Sequence, residues 1–185
     1  DAPPPRVRSS AVFHTFGGYE QDPLIADVLR ERILEISQKP DRETVILLAH
    51  GTMSEEGNER WLNVIEQNIA HIQGQLRQPF RAIKAMTLRE DWSELREKSL
   101  ADIKNEIRRG NENGEVLIVS NRLYGSGPYQ RLLEGERFKI NGKGLVPHLN
   151  ITRWLSQGVE RALAGQSNDA VIGQTDSTAH AHGGS

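Results

Sequence analysis

Residues 44–50 read Thr-Val-Ile-Leu-Leu-Ala-His, an apolar run without polar alternation that ends on a histidine and a glycine. A strand with one wet face alternates apolar and polar residues. A strand without a polar face must be covered on both sides, as parallel strands inside a sheet are. Such a strand needs helices above and below it, joined by crossover connections.

The rest of the chain supplies them. Upstream, "DPLIADVLRERILEIS" places Ile25, Val28, Leu29, Ile33 and Ile36 on one helical face, with Asp22 as cap and Pro23 in the first turn. Downstream, "EGNERWLNVIEQNIAHIQGQL" carries Trp61, Ile65, Ile69, Ile72 and Leu76 on a stripe. "FRAIKAMTL" then reads as a strand. "DWSELREKSLADIKNEIRR" reads as a helix with Trp92, Leu95, Ile103 and Ile107 inward and Gly110 as its stop. "GEVLIVSNRL" is a third strand, followed by the glycine-rich turn "YGSGPYQ" and a short helical stretch. "RFKINGKGLVPH" is extended, with Asn141-Gly142 suited to a hairpin, and Asn150 caps a last helix, "ITRWLSQGVERAL".

The expected fold is α/β: an open, mostly parallel sheet flanked by helices on both faces, with flavodoxin-like layering. Residues 1–42 are expected to form an N-terminal strand and helix. Residues 43–165 form the α/β domain, and the small, polar residues 166–185 form a disordered tail.

Several function classes fall away. The net charge of −2, with basic and acidic residues interspersed, gives no electrostatic footprint for nucleic acid. No apolar run approaches the roughly 18–20 residues of a membrane span. Cysteine is absent, which removes disulfides, thiolate metal sites and a cysteine nucleophile. "YGSGPYQ" lacks a P-loop lysine and the dinucleotide spacing, so no nucleotide cofactor is expected, and no G-x-S-x-G elbow occurs.

In open α/β sheets ligands bind outside the carboxyl ends of the strands. That rule selects His50, the segment Arg89 to Asp91, the segment Asn121 to Tyr129, and His148. A neutral imidazole at a strand tip can bind a divalent metal or move a proton near neutral pH, and Gly51 beside it would allow close approach of a ligand. The alternative for His50 is a hydrogen bond to a loop carbonyl. His148 follows Pro147 just before a helix, as a second candidate ligand or as a solvated turn residue. Gly127 lies in a turn whose backbone amides could meet a carboxylate-bearing ligand, and Tyr124 and Tyr129 could stack on it; each tyrosine could equally be a half-buried loop aromatic. His71 reads as a helix-surface residue. His14 has no evident partner, and the pair His180 and His182 makes a poor selective metal site.

The order "VILLAHGT", then the helix containing "NERW", then "AIKAMTL", and finally "PHLNITRWL" resembles the class II tetrapyrrole chelatases. The sirohydrochlorin cobaltochelatase and ferrochelatase group is the nearest in pattern. The resemblance covers Thr44 to Leu163. It implies insertion of Co2+ or Fe2+, with Ni2+ as a further metal, into a sirohydrochlorin-like tetrapyrrole. His50 is then the metal-binding and proton-accepting residue. Two positions depart from the family pattern. The second histidine, expected in a Gly-x-His turn after the third strand, is replaced by Tyr129. A glutamate near the end of the second strand aligns with Leu88, with Glu90 and Asp91 just beyond it. Glu90 and His148 are therefore expected to complete the metal set.

"FGGYEQDPLIADVLRERI" also resembles the closing turn and helix of such a lobe. Residues 6–36 would then be the tail of a preceding repeat. Pairing, as a homodimer or with a second chelatase-like lobe, is implied in the same way. The resemblance implies a cytoplasmic protein, while the Pro-rich start at Asp1 and the lack of cysteine also suit a periplasmic one. A lobe that binds or delivers a tetrapyrrole or metal without catalysis, and a purely structural partner lobe, are the alternative readings.

Overall fold

The computed structural model describes residues 18–164. The expected N-terminal strand, His14, His180, His182 and the tail lie outside that range. The described chain runs α1 (Pro23–Leu34), β1 (Glu43–Ala49), α2 (Glu55–Gln75), β2 (Ala82–Thr87), α3 (Ser93–Asn111), β3 (Glu115–Ser120), α4 (Tyr129–Leu132), β4 (Lys139–Asn141) and α5 (Leu149–Leu163). The strands form one sheet in the order β2-β1-β3-β4 with every pairing parallel, as the unalternated apolar run demands. All seven residues of β1 are buried.

Side-chain alternation along the strands divides two cores. Val45, Leu47, Ala49, Leu117 and Val119 face α1 and α2, meeting Ile25, Val28, Leu29, Ile33, Ile65, Ile69 and Ile72. Ile46, Leu48, Val116 and Ile118 face the opposite way, against Ile103 and Ile107 of α3 and Tyr129 of α4. The α1 helix thus packs in the same core as β1, although sequence alone assigned it to an N-terminal segment. Local chemistry sets the helix starts. The Asp22 carboxylate accepts from Leu24 N at 2.9 Å ahead of α1, and Ser54 Oγ accepts from Gly57 N at 3.1 Å ahead of α2.

Three expectations are corrected. Asn141-Gly142 does not turn a hairpin: β4 pairs in parallel with β3, and Val146 continues alongside Tyr124. The Asn141 side chain instead donates to Arg32 O and Glu35 Oε2, both at 2.8 Å, tying β4 to α1. The cap of α5 is His148, not Asn150: its Nδ1 accepts from Asn150 N at 3.1 Å. Trp92 is not an inward residue of α3; it stands at the position before the helix.

Candidate functional site

The chain leaves β1 to form β2 on one side and reaches β3 on the other, so the winding direction reverses between β1 and β3. A crevice opens outside the carboxyl ends of the strands at such a switch point. His50 is the first residue past β1, and Asn121 and Arg122 are the first past β3. Backbone bonds extend the register into this region: Leu88 N and Asn121 N donate at 2.9 Å to Ala49 O and Leu48 O, and Arg89 N donates at 2.6 Å to His50 O.

The His50 ring has a carboxylate on each side. Its Nε2 lies 3.0 Å from Asp91 Oδ2, and its Nδ1 lies 3.4 Å from Glu90 Oε1. One ring face stacks on Trp92, with centroids 6.1 Å apart and planes 21° from parallel. Glu90 is mostly buried, whereas Asp91 is 66 % exposed, so solvent screens the Asp91 contact far more. Arg122 donates to Glu90 Oε1, and Arg96 Nη1 donates at 2.9 Å to the Glu90 carbonyl. Burial works against the Arg122 charge, and Glu90 and the Tyr129 hydroxyl together more than offset it, so the guanidinium holds its proton more tightly than usual.

The loop after His50 is clamped by Arg89, which is buried and holds a left-handed backbone at φ 54°. Its guanidinium donates to Thr52 O at 2.7 Å, to Met53 O and to Glu55 Oε1 at 2.6 Å. The guanidinium's bond holds the Glu55 carboxyl below the usual range.

The structure sorts the sequence candidates. It brings His50 and Glu90 together, with Asp91. It places Tyr124 past the carboxyl end of β3, beside Val146 and 78 % exposed. Gly51 is buried, with φ 84°, and the space its missing Cβ leaves is lined by Arg89, Asn58 and Thr87. A side chain here would meet these neighbours, so their packing requires a glycine. Tyr129 is fully buried on the α3 side of the sheet, so it does not present itself to a ligand. Its hydroxyl makes no well-formed hydrogen bond among the described residues but interacts with the Arg122 guanidinium, and burial, the larger influence, pushes its pKa above the usual tyrosine range. Gly127, at φ 55°, is exposed but sits against the Arg122 side chain, where a Cβ would come within 2.8 Å of Nε.

His148 is not drawn to His50. Besides capping α5, its Nε2 contacts Glu31 Oε2 at 2.9 Å. The expected set of His50, His148 and Glu90 is therefore not assembled, and among the described residues no group of three or more His, Cys, Asp or Glu side chains is placed to hold a metal ion. His71 lies on α2, within 2.7 Å of Gln75 Nε2. Sequence reasoning missed the roles of Arg122 and Trp92. The one available signal for both was position, since each falls within a few residues of a strand's carboxyl end.

No family model matches the chain, and neither a curated protein nor a solved structure matches it. Among the described residues no helix is long and apolar enough to cross a membrane.

Proposed function

We propose that the chain binds a sirohydrochlorin-like tetrapyrrole at the carboxyl end of its sheet, and that His50 accepts protons there as Co2+ or Fe2+ enters the macrocycle. The observation that carries this reading is the bracketing of His50, at the β1 tip beside the switch point, by Glu90 and Asp91. Metal insertion exchanges one divalent cation for two pyrrole protons. A neutral imidazole with its own proton on the buried Nδ1 takes one proton at Nε2, once the exposed Asp91 side chain swings aside, and water carries away the other. With both nitrogens protonated the ring is a donor on two sides, and a carboxylate stands at each. The metal is a substrate in this scheme and needs no permanent protein cage.

A second reading, a tetrapyrrole-binding lobe without insertion chemistry, is favoured by one observation. Tyr129 occupies the position where the resembled family carries its second histidine, and it is buried in the core. Incubation with sirohydrochlorin and Co2+ or Fe2+, followed by absorbance, separates the two. Accelerated insertion that disappears in His50→Ala supports the enzyme. Macrocycle binding without acceleration supports the carrier. Absence of both refutes the reading as a whole and leaves a structural lobe.

A further inference from the structure

We infer that Arg122 is a positioning residue for His50 and acts through Glu90. Arg122 and His50 follow different strands on either side of the switch point, and Glu90 spans the gap: its Oε1 accepts from Arg122 Nη1 and lies 3.4 Å from His50 Nδ1. Two features hold the Arg122 side chain on this line, and a third holds the Glu90 backbone. The Tyr129 ring lies beneath the guanidinium, 5.8 Å from centroid to Cζ. Gly127 leaves room for it: a Cβ there would meet Nε at 2.8 Å, Cζ at 2.9 Å and Cδ at 3.1 Å. Glu90 itself is fixed from behind by the Arg96 bond to its carbonyl. The glycine-rich turn after β3 is therefore a mount for an arginine rather than a cradle for a ligand, and the buried tyrosine at its end is the floor of that mount.

The physical consequence follows from burial. Glu90 Oε2 and His50 Nδ1 are both buried without a hydrogen-bond partner among the described residues. A carboxylate in that position stays in place only while a cation compensates it, because an unpaired buried charge is strongly unfavourable. Without the Arg122 charge, Glu90 turns toward solvent and leaves the Nδ1 edge of His50 unsupported. The ring then loses its stacked orientation on Trp92. Asp91 does not hold it alone, being mostly exposed.

The catalytic consequence rests on the function proposed above; the positional one does not. The test uses the full chain without metal or macrocycle. In two-dimensional nuclear Overhauser spectra, the wild type is expected to show cross-peaks between the His50 and Trp92 rings. Arg122→Met is expected to lose them and Arg122→Lys to keep them. Glu90→Ala, which removes the link itself and is read in parallel, is expected to lose them too and decides the matter if Arg122→Met does not fold. Unchanged cross-peaks in a folded Arg122→Met, or in Glu90→Ala, overturn the inference. Insertion assays on the same variants should show up to about a 100-fold loss of rate in Arg122→Met, with macrocycle affinity unchanged, restored by Arg122→Lys. If the wild type has no insertion activity, the proposed function fails while the cross-peak result still decides the role of Arg122.

Discussion

Gly51→Ala tests whether the turn after His50 is a tightly packed joint. An added Cβ would stand 2.9 Å from each of Arg89 Cγ, Asn58 Oδ1 and Thr87 Cβ, well inside the usual carbon contact of about 3.5–4.0 Å. All three neighbours are buried, so none can swing into solvent. Holding alanine in the left-handed region costs about 1–2 kcal/mol, and forcing the neighbours apart costs about 1–3 kcal/mol more. Gly135→Ala carries only the first contribution, so the difference between the two variants isolates the second. Gly135 has nearly the same φ, 88° against 84°, but is exposed and has nothing within 4 Å of the Cβ position. Urea unfolding of both variants, compared at equal slope, should show Gly51→Ala less stable than Gly135→Ala by about 1–3 kcal/mol. In a chain of this size each kcal/mol also lowers Tm by about 2–4 °C. Equal destabilisation in the two variants would refute the packing argument.

Arg89→Gly relieves the positive φ but removes the clamp on the loop; because Glu55 and Met53 are exposed, we expect a net loss of only about 1–3 kcal/mol, with faster amide exchange confined to the segment after His50. His148→Ala removes the α5 cap and should cost about 0.5–2 kcal/mol by thermal unfolding while leaving macrocycle affinity unchanged; an affinity loss equal to that of His50→Ala would restore His148 as a ligand. Tyr129→Phe removes a buried hydroxyl that makes no well-formed hydrogen bond but interacts with Arg122, and should change stability by less than about 1 kcal/mol at neutral pH. The folded-state pKa of Tyr129 is raised, so its contribution is fully present below the unfolded value of about 10 and is lost as pH rises toward the folded value. Alkaline unfolding curves should therefore fall more steeply for the wild type than for Tyr129→Phe.

The sheet was legible because burial on both faces leaves a direct mark in β1, where seven consecutive positions are buried. Helix faces were legible for the same reason, since Ile65, Ile69 and Ile72 repeat at helical spacing and do face the core. Strand order was not, because pairing β1 with β3 across an intervening β2 leaves no local signal. The short β4 spans three residues, too few for a period, and its Asn-Gly end mimics a hairpin while Asn141 in fact reaches α1. Placement of His50, Glu90, Arg89 to Asp91 and Tyr124 at the carboxyl edge followed from the strand rule alone. The link from Arg122 to Glu90 spans 32 residues and depends on side-chain direction, which no spacing encodes. Tyr129 and His148 were misplaced for a related reason. A single helical turn shows no inward face, and a histidine ahead of a helix looks the same whether it caps the helix or binds a ligand.

The most direct test of the account is the rate of Co2+ insertion into sirohydrochlorin, followed by absorbance, for the wild type against His50→Ala at equal macrocycle occupancy. Acceleration over the protein-free reaction that is lost in His50→Ala is the predicted result. A wild-type rate equal to the protein-free reaction, or a His50→Ala variant as fast as the wild type, would contradict it.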